Sequence, residues 1–130
     1  MSAARKVAQF FLDHLPADGV PYWDFRLPAE AQGMPRDSSA AAIAASGLLD
    51  LAAALPAEEG NEYIKRAETI LRSLYDNYGA WETDEEGLLL HATGYFLRDI
   101  YVDLPLIYGD YYFVEALLKL KNLSQEGNIQ

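Results

Sequence analysis

Apolar residues recur along this chain in two different helical patterns. In Ala3–Leu15 and Glu62–Asn77 they return every three or four residues, and polar or charged side chains occupy the opposite side. This spacing predicts helices with one solvated face, which we call outer helices. Ser38–Leu55 and Asp110–Lys121 are apolar on nearly every side, which predicts helices buried on most sides, here called inner helices. The chain is therefore predicted to be all-α, with helices in the order outer, inner, outer, inner.

Prolines and a capping residue mark where these helices begin and end. Pro16 and Pro56 follow the first two helices and are expected to end them, because proline cannot continue a helix. Asp37 precedes Ser38 and is a candidate N-cap, since its carboxylate can accept a hydrogen bond from an unpaired backbone N–H. The segment Pro56–Asn61 is short enough to be a turn between the second and third helices. The result is a pair of antiparallel outer/inner hairpins.

Two long connections lead into the inner helices, Pro16–Asp37 and Gly79–Gly109, and both are rich in aromatic residues. Loops of more than about 15 residues in a compact domain are usually functional or disordered, and the aromatic content favours a function. If the hairpins stack side by side, the inner helices run parallel and both connections lie at their N-terminal ends. Such a rim presents unpaired N–H groups and the positive ends of helix dipoles, which can bind carboxylate or hydroxyl groups.

Two hairpins are too few to cover the inner helices on all sides. Arrays of helical pairs bury their apolar faces by stacking on neighbouring pairs, and an uncovered end needs a cap or a further repeat. The sequence therefore predicts either a piece of a larger fold or copies that associate with one another.

Composition and charge narrow the possible partners. The chain has 130 residues, enough for one domain, and a formal net charge of −10. This acidic balance excludes nucleic acid, because a basic face is needed to displace counterions. Cysteine is absent, so disulfides and thiolate metal sites are excluded. The longest apolar run, Ser38–Leu55, is too short to span a bilayer, and no targeting segment is visible, so we expect no membrane partner and a cytoplasmic location.

Four stretches carry a resemblance to a known family. They are Val20–Phe25, Asp37–Leu48, Gly87–Gly94 and Pro105–Leu117. In this order and at these intervals they resemble the C-terminal third of the unsaturated glucuronyl hydrolases, glycoside hydrolase family 88. The resemblance implies one barrel-like domain over 1–122, followed by a polar tail over 123–130.

The resemblance also implies a fold and a reaction. The family folds as an (α/α)6 barrel, a toroid of six inner and six outer helices, of which four helices would form a partial barrel. Its members are expected to remove a 4,5-unsaturated uronic acid from oligosaccharides that polysaccharide lyases produce. An aspartic acid protonates the ring alkene, water adds to it, and the hemiketal then collapses, without a metal or an organic cofactor.

The same resemblance places the catalytic aspartates outside this chain. The family carries them in N-terminal motifs that these 130 residues do not contain. The aspartates of this chain near the matching stretches therefore do not inherit the role: Asp24, Asp37, Asp103 and Asp110. A positioned acid contributes about 10²–10⁴ in rate, and we therefore expect the chain alone to be inactive. Two alternatives stay open: a non-catalytic helical module that binds sugar at the rim, and a module that assembles with copies of itself or with the missing part of a barrel.

The candidate substrate-binding residues of the first connection are Tyr22, Trp23, Asp24 and Arg36. The two aromatic residues offer flat faces to a sugar ring, but Trp23 also suits a plug that holds the connection on the core. Asp24 could accept from sugar hydroxyls or fix a turn. Arg36 could pair with the carboxylate of a uronate or with a carboxylate of the protein.

The remaining candidates stand at the starts of the inner helices and in the second connection: Ser38, Ser39, His91, Thr93, Tyr108 and Tyr111. The two serines could meet a ligand or help to cap their helix. The histidine, with Thr93 beside it, could bind sugar or serve as a structural hydrogen-bonding residue. Tyr108 could reach the rim. No pair of histidines or carboxylates has the spacing of metal ligands, so no metal is expected.

Overall fold

The chain folds into four α-helices. The computed structural model describes residues 2–27, 33–94 and 102–125. Its helices are α1 (Ala3–Asp13), α2 (Ser38–Ala53), α3 (Ala57–Tyr78) and α4 (Ile107–Gln125). Within the described ranges, strand-like pairing is limited to isolated antiparallel bridges in the connections. The predicted all-α class is confirmed.

The two inner helices run parallel, with α2 packed against both α3 and α4. At the start of the pair, a β-carbon added to Gly109 of α4 would lie 2.9 Å from Cβ of Ser39 in α2, so only glycine permits this close approach. Further along, the ammonium group of Lys119 pairs with the carboxylate of Asp50 at 2.8 Å. The predicted common direction of the inner helices is therefore confirmed.

The start of α3 differs from the prediction. The helix begins directly after Pro56, so the turn predicted over Pro56–Asn61 is wrong. Two glutamates in the first turn of α3 favour this early start, because the positive end of the helix dipole attracts negative charge. Gly60 looks like a turn residue in the sequence, but it lies inside the helix, where α3 crosses the backbone of Ala52.

The last helix is longer at both ends than the predicted Asp110–Lys121. It begins at Ile107 and continues to Gln125, and Leu123 packs against the core. The first three residues of the predicted polar tail therefore belong to α4. The other five, 126–130, lie outside the described residues.

The core contains the inward faces of α2, α3 and α4, and its largest fully buried side chains include Phe113, Leu49, Ile70, Leu71 and Leu74. The opposite side of α4 is open, and large apolar side chains on it are exposed. The predicted uncovered side of an inner helix is thus confirmed, and α4 is buried on one side only.

Within the described ranges, no helix combines the length and apolarity needed to cross a membrane. The cytoplasmic location stays a prediction.

Candidate functional site

Both long connections meet the first turns of α2 and α4 at one end of the chain. Asp37 joins them: its carboxylate caps α2 by accepting from the N–H of Ser39 at 3.2 Å, and it also accepts from the N–H of Thr93 at 3.3 Å. The N–H of Asp37 donates to the carbonyl of Pro21 at 2.9 Å. The predicted N-cap and the predicted meeting of the two connections are confirmed. We call this end the rim, residues 18–27, 33–39, 87–94 and 102–111.

The carboxylate of Asp18 anchors the first connection to the end of α3. Its Oδ1 accepts from Nη1 of Arg36 at 2.8 Å and from the N–H of Val20 at 3.1 Å, and its Oδ2 accepts from the hydroxyl of Tyr78 at 2.6 Å. Arg36 also donates to the carbonyl of Val20 at 2.7 Å, and its guanidinium carbon lies 4.2 Å from the ring centre of Tyr22. Of the two predicted roles of Arg36, this geometry favours pairing with a carboxylate of the protein. One face of the Tyr22 ring is covered by the guanidinium.

The neighbouring candidates, Trp23 and Asp24, hold the first connection in shape. Trp23 is half-buried, and its backbone N–H donates to the carbonyl of Pro35 at 3.0 Å. The carboxylate of Asp24 accepts from the backbone N–H of Arg26 at 2.8 Å and from its guanidinium at 2.6 Å. Hydrogen bonds from the Arg26 side chain and backbone hold the pKa of Asp24 below its ordinary value. The geometry favours the turn-fixing role of Asp24.

The second connection exposes a histidine–aspartate pair. Nδ1 of His91 lies 2.5 Å from Oδ1 of Asp103, and both side chains are about half exposed. Both residues have left-handed backbones, with φ of 61° and 55°, a region that residues with a β-carbon seldom adopt. Thr93 between them is buried, and its hydroxyl donates to the carbonyl of Arg36 at 2.8 Å. Thr93 thus links the two connections, whereas the pair faces outward.

The two serines at the start of α2 are buried, and both hydroxyls are bonded within the chain. Ser38 is 0% exposed, and its hydroxyl donates to the carbonyl of Leu90 at 2.6 Å. Ser39 is 1% exposed, and its hydroxyl donates to the carboxylate of Asp37. Neither hydroxyl faces solvent, because both donate to groups of the chain itself. The geometry therefore favours the structural role of the two serines, and their contact with a sugar stays a prediction.

Two tyrosines in the first turns of α4 are exposed. The pKa of Tyr108 is raised, mainly by partial burial and further by the charge of Asp37, while contact with the hydroxyl of Ser39 opposes the rise. Tyr108 therefore lies close to Asp37 and Ser39 at the start of α2, and its contact with a sugar stays a prediction. Tyr111 lies on the open side of α4, and its ring meets that of Tyr112 edge-on at 5.1 Å.

A pocket of about 440 Å³ opens on the rim between the two connections and the end of α3. Arg36 and His91 are the predicted site residues that line it. Sequence reasoning missed four polar lining residues, Asp18, Asn77, Tyr78 and Asp103. Asp18 stands before a glycine and looks like a turn residue, and Tyr78 continues the apolar face of its helix. No signal in the sequence points to Asp103, because its left-handed backbone and its approach to His91 arise only on folding.

The Tyr78–Asp18 hydrogen bond makes a testable contribution to stability. Burial first, and then the bond to Asp18 and the negative charge of that carboxylate, raise the pKa of Tyr78 above its ordinary value. The native state therefore holds the phenolic proton more tightly than the unfolded state. Its stabilising effect is complete below the ordinary pKa near 10 and is lost as pH rises above it. We expect Tyr78→Phe to lower the free energy of unfolding by about 1 kcal/mol at neutral pH.

Denaturation with urea between neutral pH and about pH 11 measures this difference. The gap between wild type and Tyr78→Phe should shrink above about pH 10. Tyr75→Phe is the control, because Tyr75 lies on the exposed face of the same helix, and it should follow the wild type at every pH. A gap that stays constant or widens in alkali would contradict the assignment.

The order of outer and inner helices, with both long connections at one rim, defines the chain as a segment of an α/α toroid. The crystal structure of unsaturated glucuronyl hydrolase from Bacillus sp. GL1 matches it with a TM-score of 0.83 at 40% identity, over 90% of this chain and 32% of that one. A mutant of the unsaturated glucuronyl hydrolase from Streptococcus agalactiae, complexed with dGlcA-GalNAc6S, matches with a TM-score of 0.76 at 37% identity, over 86% of this chain and 30% of that one.

A curated relative gives the same result at the level of sequence. The unsaturated glucuronyl hydrolase of Formosa agariphila is 39% identical over 127 residues, which cover 95% of this chain and 31% of the relative. No family model matches the chain. The chain is therefore homologous to about a third of the length of unsaturated glucuronyl hydrolases, and both the predicted resemblance and the toroid fold are confirmed.

Proposed function

We propose that this chain forms one third of the wall of a glycoside hydrolase for unsaturated uronyl oligosaccharides, and that its rim binds such sugars without hydrolysing them. The observation that carries the proposal is the bridge made by Asp37, which brings both long connections to the N-terminal ends of two parallel inner helices. Support for a sugar ligand comes from the homologous Streptococcus agalactiae structure, which is complexed with dGlcA-GalNAc6S.

The charges around the rim pocket favour neutral sugar hydroxyls over a carboxylate. Arg36 is already paired with Asp18, and Asp103 adds a second negative charge to the lining. A uronate carboxylate would be repelled by these groups at short range. Sugar hydroxyls can instead donate to the Asp103 carboxylate and bond to Nε2 of His91, because Nδ1 already contacts Asp103.

Catalysis by this chain alone is not part of the proposal. The aspartate motifs that the family resemblance assigns to catalysis are not present in these 130 residues. The chain spans only about a third of the length of its relatives. We therefore expect binding in the absence of turnover.

Titration of the purified chain with an unsaturated chondroitin disaccharide, followed by amide chemical shifts in NMR, tests the proposal. We expect a Kd of about 1 mM, equivalent to roughly −4 kcal/mol. His91→Ala should weaken binding about fivefold, because it removes one hydrogen-bonding group worth about 1 kcal/mol. His14→Ala is the matched control, since His14 ends α1 with its Nδ1 against the carbonyl of Phe10 and lies outside the rim.

Three outcomes would each contradict a different part of the proposal. No shift at about ten times the expected Kd would exclude sugar binding at the rim. Loss of the ultraviolet absorbance of the alkene during the titration would show turnover and exclude a non-catalytic role. Equal effects of the two histidine variants would exclude His91 as a contact.

The exposed apolar side of α4 favours a second role, which is association. Ile107 is 85% exposed and Tyr111 is 63% exposed, unusual values for large apolar side chains in adjacent helical turns. We propose that this surface packs against a further part of a barrel or against another copy of the chain.

A further inference from the structure

We propose that three copies of this chain close into a ring, in which α4 of each copy occupies the groove between α1 and α2 of the next. The proposal rests on the association role above and does not require sugar binding. In this arrangement the open side of α4 contacts a second copy of the chain.

The first of the two surfaces is a stripe along α4. Ile107, Tyr111, Val114 and Leu118 follow one another at helical spacing and are all exposed, with Tyr108 and Leu117 on the flanks. From their exposed fractions, and burial of about 150–250 Å² for a large aromatic side chain, the apolar area is on the order of 600 Å². The largest patch of an ordinary monomer is about 300–600 Å², and a standard interface buries about 800 Å² per partner. The stripe is therefore large enough to form most of an interface.

The second surface is a groove of about 410 Å³ between α1 and α2. Its lining is apolar, with Val7 and Phe11 on the α1 side and Ala44, Gly47 and Leu51 on the α2 side. The small residues leave room for the side chains of an approaching helix. Val7 is 69% exposed, so this lining also lacks a cover within the described part of the chain.

The fold already contains the interaction that we propose. Within one chain, α2 packs against both α3 and α4, while α3 and α4 make few contacts with each other. An inner helix thus fills the space between the next outer helix and the next inner helix. The pair α1 and α2 offers the equivalent space, again with few contacts between its members. The helix that fits there is an inner one, and α4 is the inner helix with an open side.

The number three follows from the share of the toroid that one chain represents. The chain covers 32% of the Bacillus sp. GL1 structure, a closed helical toroid, at a TM-score of 0.83. One chain therefore spans close to a third of a full turn. Contacts between two different surfaces form a closed ring when the rotation per copy divides the circle. In such a ring the three rims lie on the same face.

Net charge opposes the association and makes it depend on salt concentration. Each chain carries a formal charge of −10, so copies repel one another at low ionic strength. Screening acts over about 10 Å at 0.1 M salt and about 3 Å at 1 M. Apolar contacts are not weakened by salt in this way, so added salt should favour the ring.

Sedimentation equilibrium of the purified 130-residue chain at low and high salt tests the proposal. We expect a species of three times the monomer mass of 14.5 kDa, with a larger fraction at high salt. Leu118→Glu on the stripe and Val7→Glu in the groove should each give monomers. Tyr75→Glu is the control, because Tyr75 is 56% exposed on α3, outside both surfaces, and it should leave the trimer intact. Circular dichroism verifies that every variant is folded.

A mixture of the two disrupted variants distinguishes a ring from a simple dimer. Leu118→Glu keeps an intact groove and Val7→Glu keeps an intact stripe, so one good interface can form between them. We expect a mixed dimer that cannot close. If two stripes instead pack on each other, Val7→Glu associates like the wild type, and the proposal is overturned. A wild-type chain that stays monomeric at high salt, or that grows beyond three copies, overturns it as well.

Sedimentation measures the mass of the associated species in the absence of any sugar. Failure of the sugar titration therefore leaves this result unaffected, and a monomeric chain leaves the sugar-binding proposal standing.

Discussion

Replacing Phe113 with alanine is expected to lower the free energy of unfolding by about 3–5 kcal/mol. The ring is 1% exposed and belongs to the main apolar cluster. The α2 members of the same cluster include Ala41 and Ala45, which are fully buried and too short to fill the space left by a ring. The cavity would therefore persist, and its cost adds to the lost burial. Domains of this kind are stabilised by only about 5–15 kcal/mol in total, so the docking of α4 would be severely weakened.

Urea denaturation followed by circular dichroism measures the loss, at one fixed protein concentration because association would add to apparent stability. Tyr75→Ala is the control, since it removes a large aromatic side chain that is 56% exposed, and it should cost less than about 1 kcal/mol. A comparable cost for the two variants would mean that Phe113 does not pack in a dense core.

Two glycine-to-alanine substitutions in helices are expected to change stability in opposite directions. Alanine favours a helix over glycine by about 1 kcal/mol. At Gly47 a new β-carbon meets no atom of the same chain within 4 Å, so in the monomer at low salt Gly47→Ala should gain about that amount. At Gly60 the β-carbon would lie 2.6 Å from the carbonyl oxygen of Ala52. That oxygen belongs to the backbone of α2 and cannot rotate away, so we expect Gly60→Ala to cost about 1–3 kcal/mol through displacement of the helices.

The difference between the two variants is the useful quantity, because their intrinsic helix propensities are the same. Thermal or urea denaturation of both, beside the wild type, gives it directly. Stabilisation by Gly60→Ala would contradict the close crossing of α2 and α3 at this point. It would also restore the interpretation of Pro56–Asn61 as a turn, in which a β-carbon at residue 60 has space.

Gly60 shows how a sequence pattern can predict a turn where the structure has a helix. A glycine followed by asparagine between two helical patterns is typical of a turn. Here the same glycine serves a tertiary contact, which depends on how closely α2 and α3 approach. The residues around Gly60 in the sequence do not reveal how closely the two helices approach. The sequence predicted the existence of both helices correctly and placed the boundary between them wrongly.

The site residues divide in a similar way. Asp37 could be predicted as a cap, because capping needs only residues next to it in the chain. The partner of Arg36 could not be predicted, because Asp18 reaches it only through the folded shape of the first connection. Sugar contact at His91 stays a prediction, and its partner Asp103 was not among the candidates because left-handed backbone geometry leaves no mark in an apolar–polar pattern.

Periodicity and chain connectivity by themselves determined that this protein has four helices of two kinds, and that both long connections reach one rim. These features follow from the spacing of apolar residues at 3.6 per turn and from the antiparallel path that short links impose. Only the tertiary structure decided which polar groups are bonded within the chain and which face solvent. The hydroxyl of Ser38 donates to a carbonyl in the other connection, whereas the side chain of His91 is about half exposed. Pairings between residues so far apart depend on distances that arise when the helices pack, and no local pattern encodes them.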